Sequence, residues 1–459
     1  MKFFINLLFI DLNLLGLEKS LKILYRLQKH LFKSVYVLDR KNSLKIQKLI
    51  LQSSYSRLFV IREVTQINSE RRIPGVDGKT TLTFLERFEL NEYLRKNMLN
   101  WFPQSFKQYF FINDNKTGYK MKVFTISDRA WQNLIKLALE PAHEAVFHPS
   151  NFGFRCVTSV FEIQNVFSLR IGQIYFASQK RILKIKLSHL FETFNINFLI
   201  KKLIAPRGIK LGLFRLLKKG LSLGYVDQVD ISTNLICLLS NILLTDFESL
   251  HECLHCGNDI VFFLNPVDDE KVLVQRIRLF LSSRGLYLDK LSIEVFPAFI
   301  GFNFLDWIFK FNNDLLCSLP SDFNYRIFVN RVKHILNNSN YGSVVKVNKV
   351  YPIIKQWRLL NRFCLLKNSR YTLFFLKKRA FKTFNKESKQ DFYSSKRLLD
   401  KCFYLLEFNE KHLNSIKINL ARSIFKHTIF CVKPHIINRK NFFVDNCFCI
   451  HCGMKIFEC

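Results

Sequence analysis

The 459-residue sequence predicts an α+β fold, in which a region of mixed helices and strands precedes an all-helical C-terminal region. Three observations support this prediction. Residues 17–70 carry apolar side chains, such as Leu24 and Leu31, at helical spacing. Residues 181–187, RILKIKL, alternate between apolar and basic side chains as strands do. From about residue 320 onward the pattern is again helical, and it is basic.

The next two segments are a turn and a helix. Residues 72–80, RIPGVDGKT, predict a turn because two glycines and a proline interrupt the chain. Residues 127–147, SDRAWQNLIKLALEPAHEAVF, predict a helix. We expect Ser127 or Asp128 to cap this helix and Pro141 to break it.

A second strong helix and a hairpin follow the strand. Residues 268–286, DDEKVLVQRIRLFLSSRGL, predict a helix that is capped by its first two aspartates and ended by Gly285. Residues 299–309, FIGFNFLDWIF, predict a strand or a hairpin. The length and the apolar fraction of 49% are enough for two or three domains with a real core.

The net charge of +34 is the most informative feature of the composition, since Lys and Arg are spread along the whole chain. Such a surplus predicts a polyanionic partner, with nucleic acid as the default and an anionic membrane surface as the rival. No stretch reaches the roughly 18 uninterrupted apolar residues of a membrane span. The 12 cysteines are irregularly spaced, unlike a secreted disulfide framework. We therefore expect a soluble protein of a reducing compartment.

The stretch CGNDIVFFL, Cys256–Leu264, combines a small polar turn with an apolar strand. A turn with Asn and Asp at the mouth of a buried strand often carries metal-ion chemistry, yet Asp259 is one carboxylate where two are needed. Three interpretations are open from the residues alone: a working active site, an ordinary strand start, or the remnant of an enzyme site.

Five segments, in this order, resemble the intron maturases, which are reverse-transcriptase-like proteins encoded inside group II introns. The resemblance extends from about residue 20 to 405, and its nearest type is the plastid maturase-like protein of euglenoids. The segments are the N-terminal extension and first finger motif at Leu27–Gly78, the next finger block at Phe124–Arg155, the palm motifs NILLTDFESL at Asn241–Leu250 and SSRGLYL at Ser282–Leu288, and the thumb core at Asn348–Phe363.

This resemblance implies a right-hand, reverse-transcriptase-like arrangement of fingers and palm followed by an all-α thumb, called maturase domain X. We expect four regions. They are a basic helical N-terminal extension at 1–55, degenerate fingers and palm at 56–310, domain X at 320–405, and a basic C-terminal tail at 406–459.

The resemblance also locates the polymerase positions. The family's first catalytic Asp falls on Lys186, and its Tyr-Ala-Asp-Asp turn falls on Cys256–Asp259, so that only Asp259 survives and Asn258 replaces its partner. Polymerisation needs two Mg²⁺ ions held by carboxylates, and an ammonium at Lys186 opposes a dication. We therefore expect these to be relic positions in a protein that is not an enzyme.

Basic residues with interleaved aromatic side chains are the predicted RNA-binding elements, because RNA recognition uses cations for phosphates and rings for bases. LKKRAFKTF, Leu376–Phe384, has this composition, although Phe381 and Phe384 are equally suited to pack in a core. The segment NKVYPIIKQWRLLNRF, Asn348–Phe363, predicts a helix with Pro352 near its start. Its apolar stripe of Val350, Ile353, Ile354, Trp357 and Leu360 lies opposite a basic stripe of Lys355, Arg358 and Arg362. The candidate RNA-binding residues are Arg26, Lys29, Lys355, Arg358, Arg362, Lys377, Lys378, Arg379 and Lys382.

The C-terminal tail contains Cys449 and Cys452 in a Cys-x-x-Cys spacing, which often forms half of a tetrahedral zinc site. A closed structural site needs four ligands, so a free or relic motif is favoured over bound zinc by about two to one. The protein itself requires no other cofactor.

The sequence as a whole predicts a maturase-like RNA-binding protein that assists splicing of organellar group II or group III introns without polymerase activity. Its expected partner is intron RNA, its expected location is the plastid with the mitochondrion as alternative, and self-association is left open. The rivals are an active reverse transcriptase of a mobile element, a basic protein of membrane surfaces, and a decaying reading frame without function.

Overall fold

The computed structural model describes residues 16–67, 73–112, 118–153, 155, 162–171, 180–187, 194–221, 233–287, 293–312, 315–361, 363–364, 373–387 and 392–403. The chain divides into two compact units. The first unit contains the chain up to 154 with 186–250 and 271–292, and the second contains 155–185, 251–270 and the chain from 293 onward. Within the described ranges, no helix has both the length and the apolarity needed to cross a membrane.

Helices and strands alternate through the first two thirds of the chain, and the described residues after 320 form helices alone, which confirms the mixed α and β prediction. Up to residue 202 the elements are α1 Gly16–Tyr36, α2 Arg40–Gln52, α3 Ser54–Arg62, α4 Phe84–Asn97, β1 Lys107–Ile112, β2 Gly118–Val123, α5 Ile126–Glu144, α6 Glu162–Ile171, β3 Arg181–Lys186 and α7 Ile196–Lys202. The remainder are α8 Arg207–Lys218, α9 Thr233–Leu243, β4 Cys253–Cys256, β5 Asp259–Leu264, α10 Glu270–Ser282, β6 Ile293–Pro297, β7 Phe302–Phe304, β8 Trp307–Asn312, β9 Leu315–Pro320, α11 Asp322–Asn337, α12 Ser343–Leu360, α13 Phe374–Glu387 and α14 Phe392–Phe403.

The basic helices predicted for the N-terminal part are present as α1, α2 and α3. Leu24 and Leu31 are 5% and 0% exposed, so the predicted apolar face of α1 does turn inward. Asp39 is the N-cap of α2. Its carboxylate accepts the N–H of Asn42 at 3.0 Å, which satisfies one unpaired donor of the first helical turn. These helices pack against α5.

Helix α5 differs from its prediction at both positions of interest. Its N-cap is Thr125, whose side chain accepts the N–H of Asp128, and Pro141 lies inside the helix. A proline lacks the N–H that would bond the carbonyl four residues earlier. Gln28 of α1 donates to that carbonyl, on Leu137, at 3.1 Å. The helix continues because a side chain distant in sequence replaces the missing donor.

His143 near the end of α5 couples folding to pH. It is 3% exposed, and its Nε2 atom accepts the N–H of Ile204 at 3.2 Å. Burial, assisted by the charge of Lys210, lowers its pKa to about 3. The unfolded value is about 6.5, so below pH 6.5 the unfolded state binds a proton that the folded state does not. The stabilisation is therefore complete above pH 6.5 and is lost as the pH falls toward 3.

We expect His143→Gln, which retains an acceptor but does not titrate, to remove this part of the acid sensitivity. Between pH 7 and pH 5 the wild type should lose about 2 kcal/mol of unfolding free energy through His143, at up to 1.36 kcal/mol per pH unit. Urea unfolding at the two pH values measures the difference, and His30→Gln at an exposed position of α1 is the control. Equal acid sensitivity of the wild type and both variants would contradict the assignment.

Helix α10 ends as predicted but begins differently. Gly285 follows it with φ of +75°, and a Cβ there would lie 2.8 Å from the backbone nitrogen of Asn195, so the position requires glycine. Asp268 was predicted to cap the helix together with Asp269. Instead, the carboxylate of Asp268 accepts the N–H of Asn265 at 2.6 Å, which stabilises the turn before the helix.

Two sheets form the β part of the second unit. One has the strand order β4-β5-β3-β6, with antiparallel pairing of β4 with β5 and of β3 with β6. The other is the antiparallel sheet β7-β8-β9, which confirms the predicted hairpin. Phe167 of α6 packs against the rings of Phe302, Phe304 and Phe309 at centroid distances of 5.0, 5.3 and 4.7 Å. Part of the large Phe content therefore builds this core.

The C-terminal helices α11 to α14 share one apolar core. Val350, Ile354 and Trp357 are buried on α12, as the predicted apolar stripe requires. Pro352 was expected near the start of this helix, but α12 begins at Ser343, nine positions earlier, and Pro352 lies within it. Buried residues of the other three helices complete this core; they include Phe328, Leu336, Leu376, Ala380, Phe384, Leu399 and Phe403.

Candidate functional site

The turn between β4 and β5 is a tight hairpin. Gly257 and Asn258 form the turn, with Cys256 opposite Asp259 in the register of the strands. Gly257 has φ of +62°, a conformation that two-residue hairpins need and glycine adopts without strain. Asn258 is only 5% exposed. The sequence therefore predicted correctly a small turn at the mouth of a buried strand.

The surroundings of this turn are buried and rich in acceptors. The ring of His255 is fully buried, with Nε2 3.0 Å from the Gly257 carbonyl oxygen. Burial raises the pKa of the Cys256 thiol, and the Asp259 and Asp306 carboxylates add to the effect. In the part of the chain that the structure describes, no three His, Cys, Asp or Glu side chains are grouped as metal ligands.

Lys186 is the last residue of β3, and β3 is the neighbour of β5 in the sheet. The predicted alternation is present, since Leu183 and Ile185 are fully buried, whereas Lys184 is half-buried and Lys186 is exposed. Lys184 pairs with Glu294 of β6 at 3.8 Å. An ammonium group therefore stands on the polar face at the end of this strand.

Arg284, within SSRGLYL, has a role that the sequence did not indicate. Its guanidinium is 6% exposed and donates to the carbonyl oxygens of Leu243 at 3.0 Å and Thr245 at 3.3 Å, at the end of α9. It also donates to the Phe280 carbonyl at 2.9 Å. The rings of Phe198 and Phe280 lie 4.7 and 3.4 Å from its Cζ atom. Burial lowers the pKa of Arg284 to about 10.

The basic stripe predicted on α12 is not a free cationic face. Lys355 and Arg358 are half-buried, and desolvation by burial lowers the pKa of Arg358. The reason is tertiary, because α12 contacts α11, α13 and α14 and is therefore enclosed on several sides. Arg362 lies outside the described residues.

Helix α13 presents the predicted cations to solvent. Lys378, Arg379 and Lys382 are exposed, and Arg379 donates to Asn337 Oδ1 at 2.9 Å. Lys377 is half-buried and lies 4.0 Å from the Asp400 carboxylate. These four residues therefore extend along the face of α13 that does not enter the core of the helical bundle.

The aromatic residues of α13 divide between core and surface in a way that the sequence left open. Phe384 is fully buried and Phe381 packs against the core, so both serve packing rather than base stacking. Phe374 and Phe375 are instead 64% and 78% exposed, and Tyr393 of α14 is 80% exposed. The two sets differ in their position around the helix. Phe384 lies four residues after the buried Ala380 and therefore on the same inward face, whereas Phe374 and Phe375 lie outside that face.

The remaining predicted residues fall in different regions. On α1, Arg26 is exposed and Lys29 is half-buried. They belong to the first unit, whereas α13 belongs to the second. Cys449 and Cys452 lie outside the described residues.

Three comparisons with known proteins bear on the identity of the chain. Residues 15–94 match the N-terminal domain of reverse transcriptase. Maturase-like protein 1 of Euglena gracilis is 47% identical over 445 residues, covering 95% of this chain and 96% of that protein. Maturase-like protein 1 of Euglena longa is 45% identical over 454 residues, covering 96% and 97%.

A more distant relative is Protein YkfC of Escherichia coli strain K12, which is 28% identical over 232 residues, covering 46% of this chain and 58% of that protein. The two Euglena proteins match over nearly the whole length of the chain, and the reverse-transcriptase match covers α1 to α3 and most of α4. The chain therefore belongs to the family of the Euglena maturase-like proteins, relatives of reverse transcriptase.

Proposed function

We propose that this protein binds intron RNA and assists the splicing of organellar group II or group III introns, without polymerase activity of its own. The observation that carries the proposal is the exposed cationic face of α13, formed by Lys378, Arg379 and Lys382 and supported from behind by a buried core. A cationic face on a rigid helix neutralises phosphates without a large ordering cost.

The mechanism is stabilisation of RNA structure rather than protein chemistry. Folding of an intron brings phosphates close together, and Lys or Arg side chains favour that state by replacing condensed counterions. The net charge of +34 supports this role. The intron RNA then breaks and joins its own bonds, while the basic surfaces of α1 and α13 hold its folded form.

The absence of polymerase activity is proposed from the residues at the palm positions. Phosphoryl transfer by two metal ions needs several carboxylates at one place. The aligned positions hold the exposed Lys186, the nearly buried Asn258 and one carboxylate, Asp259. The lost electrostatic stabilisation corresponds to a rate decrease on the order of 10³ or more.

The rival function is an active reverse transcriptase. It predicts Mg²⁺-dependent primer extension by the purified protein and loss of that activity in Asp259→Ala, with Asp269→Ala as the matched control. Extension with this pattern would establish the rival and end the proposal that Asp259 is a relic.

Crosslinking of the protein in its organelle, followed by sequencing of the bound RNA, tests the function directly. We expect unspliced intron RNA of the plastid to be enriched over exon and ribosomal RNA. Enrichment of mitochondrial intron RNA instead would change only the proposed compartment and not the proposed function. A bound fraction with the composition of total RNA would contradict the maturase function, and preferential recovery on anionic vesicles would favour a membrane-surface protein.

A further inference from the structure

A groove of about 840 Å³ lies between α12 and α14, within the second unit. Its size is in the range of pockets that hold small ligands, about 300–1,000 Å³. None of its residues was among the candidates of the sequence analysis. The residues that matter for its chemistry are Tyr351, Tyr393, Lys396, Arg397, Asp400 and Lys401.

An exposed aromatic ring stands at this groove on a firm support. Tyr393 is 80% exposed, so one face of its ring is available for stacking. Its ring meets that of Phe392 edge-on at 5.9 Å, and Phe392 meets Phe381 at 5.5 Å. Phe381 packs against the core of the bundle. The ring of Tyr393 therefore has aromatic neighbours that lead to the core, while most of its own surface remains open to a ligand.

The charge of the groove favours an anion. Lys396, Arg397 and Lys401 of α14 are exposed and line the groove, and Arg397 and Lys401 lie one helical turn apart. The one carboxylate of the groove, on Asp400, lies 4.0 Å from Lys377 of α13, which offsets part of its repulsion of a phosphate. Three cations beside a supported ring match a ligand with both a phosphate and a flat base.

We propose that this groove binds an unpaired nucleotide of a single-stranded RNA segment. The base stacks on the ring of Tyr393, and Lys396, Arg397 and Lys401 contact the flanking phosphates. The inference rests on the proposed RNA-binding function. It adds that the groove between α12 and α14 is a binding site and that the bound RNA is single-stranded. An acidic peptide would use the cations alone and leave the ring of Tyr393 without a flat partner. A duplex keeps its bases stacked inside and likewise does not occupy the ring.

The test compares Tyr393→Leu with Tyr287→Leu in the full-length protein. Tyr287 is a matched control, because it is 67% exposed and lies in the first unit. The probes are a fluorescent 12-nucleotide single-stranded RNA and a blunt RNA duplex of the same sequence. Stacking of one base corresponds to roughly a 5- to 100-fold change in Kd. We expect that increase for Tyr393→Leu with the single strand only, wild-type affinity for Tyr287→Leu, and rescue by Tyr393→Phe.

Three other results would each reject the groove. Unchanged single-strand affinity of Tyr393→Leu would show that RNA binds elsewhere, while the proposed function would stand. An equal loss for single strand and duplex would show a structural defect or a purely electrostatic role. Displacement of the RNA by polyglutamate in the wild type but not in Arg397→Gln would identify an acidic protein as the partner. Failure of the wild type to bind either RNA would reject the proposed function itself.

Discussion

Substitution of Arg284 by Met should destabilise the protein by about 1–3 kcal/mol, the cost of leaving buried carbonyl acceptors without a donor. The guanidinium satisfies the carbonyl oxygens of Leu243 and Thr245 at 3.0 and 3.3 Å and is enclosed by the rings of Phe198 and Phe280. A Met side chain fills similar volume but donates nothing, so these buried acceptors lose their partner.

Urea unfolding monitored by circular dichroism measures this loss, with Arg278→Met as the control. Arg278 is an exposed arginine of α10, the helix that ends just before Arg284, and its replacement should change the free energy of unfolding by less than about 0.5 kcal/mol. Equal midpoints for the two variants would show that Arg284 does not anchor the end of α9.

Neutralisation of the α13 face should produce the largest change in RNA affinity. In the triple variant Lys378→Gln, Arg379→Gln and Lys382→Gln, we expect the slope of log K against log salt to become shallower by about 2–3, since each phosphate contact contributes about 0.7–0.9. The affinity for intron RNA at about 0.1 M salt should fall by roughly one to two orders of magnitude. Filter binding across a salt series measures both quantities.

The matched control removes the same net charge from α10, in Lys271→Gln, Arg276→Gln and Arg278→Gln. These residues are also exposed, and they belong to the first unit, whereas α13 belongs to the second. The control should retain most of the wild-type slope. If both triple variants lose the same affinity, the RNA responds to total charge and the α13 face has no special part in binding.

Much of the fold and part of the site were predictable from the sequence. Alternation in RILKIKL correctly placed Leu183 and Ile185 inside and Lys186 outside, because strand geometry alone determines opposite faces. The family assignment was confirmed by relatives of 45–47% identity. The cations Lys378 and Lys382 are exposed, because their positions in the helix lie on the side away from the buried Leu376, Ala380 and Phe384.

Other features could not be predicted, because they depend on residues far apart in the chain. Pro141 was expected to break a helix, yet Gln28 supplies the missing hydrogen-bond donor 109 positions away in sequence. Arg358 was expected on an open face, yet neighbouring helices enclose it and lower its pKa. The groove at Tyr393 is formed by residues of α12 and α14, which lie in separate stretches of the sequence.

The sequence by itself determined the mixed α and β class and the basic character, and its resemblance to the maturases indicated the family and aligned Lys186, Asn258 and Asp259 with the palm positions. Local geometry is sufficient for the class, because strand and helix periods and turn chemistry act over a few residues. Only the tertiary structure decided which helix faces are enclosed, as at Arg358, and which helices meet to form the groove at Tyr393. Burial of Phe384 and exposure of Tyr393 follow from how α12, α13 and α14 pack together, and a long-range contact is needed to hide or reveal a side chain.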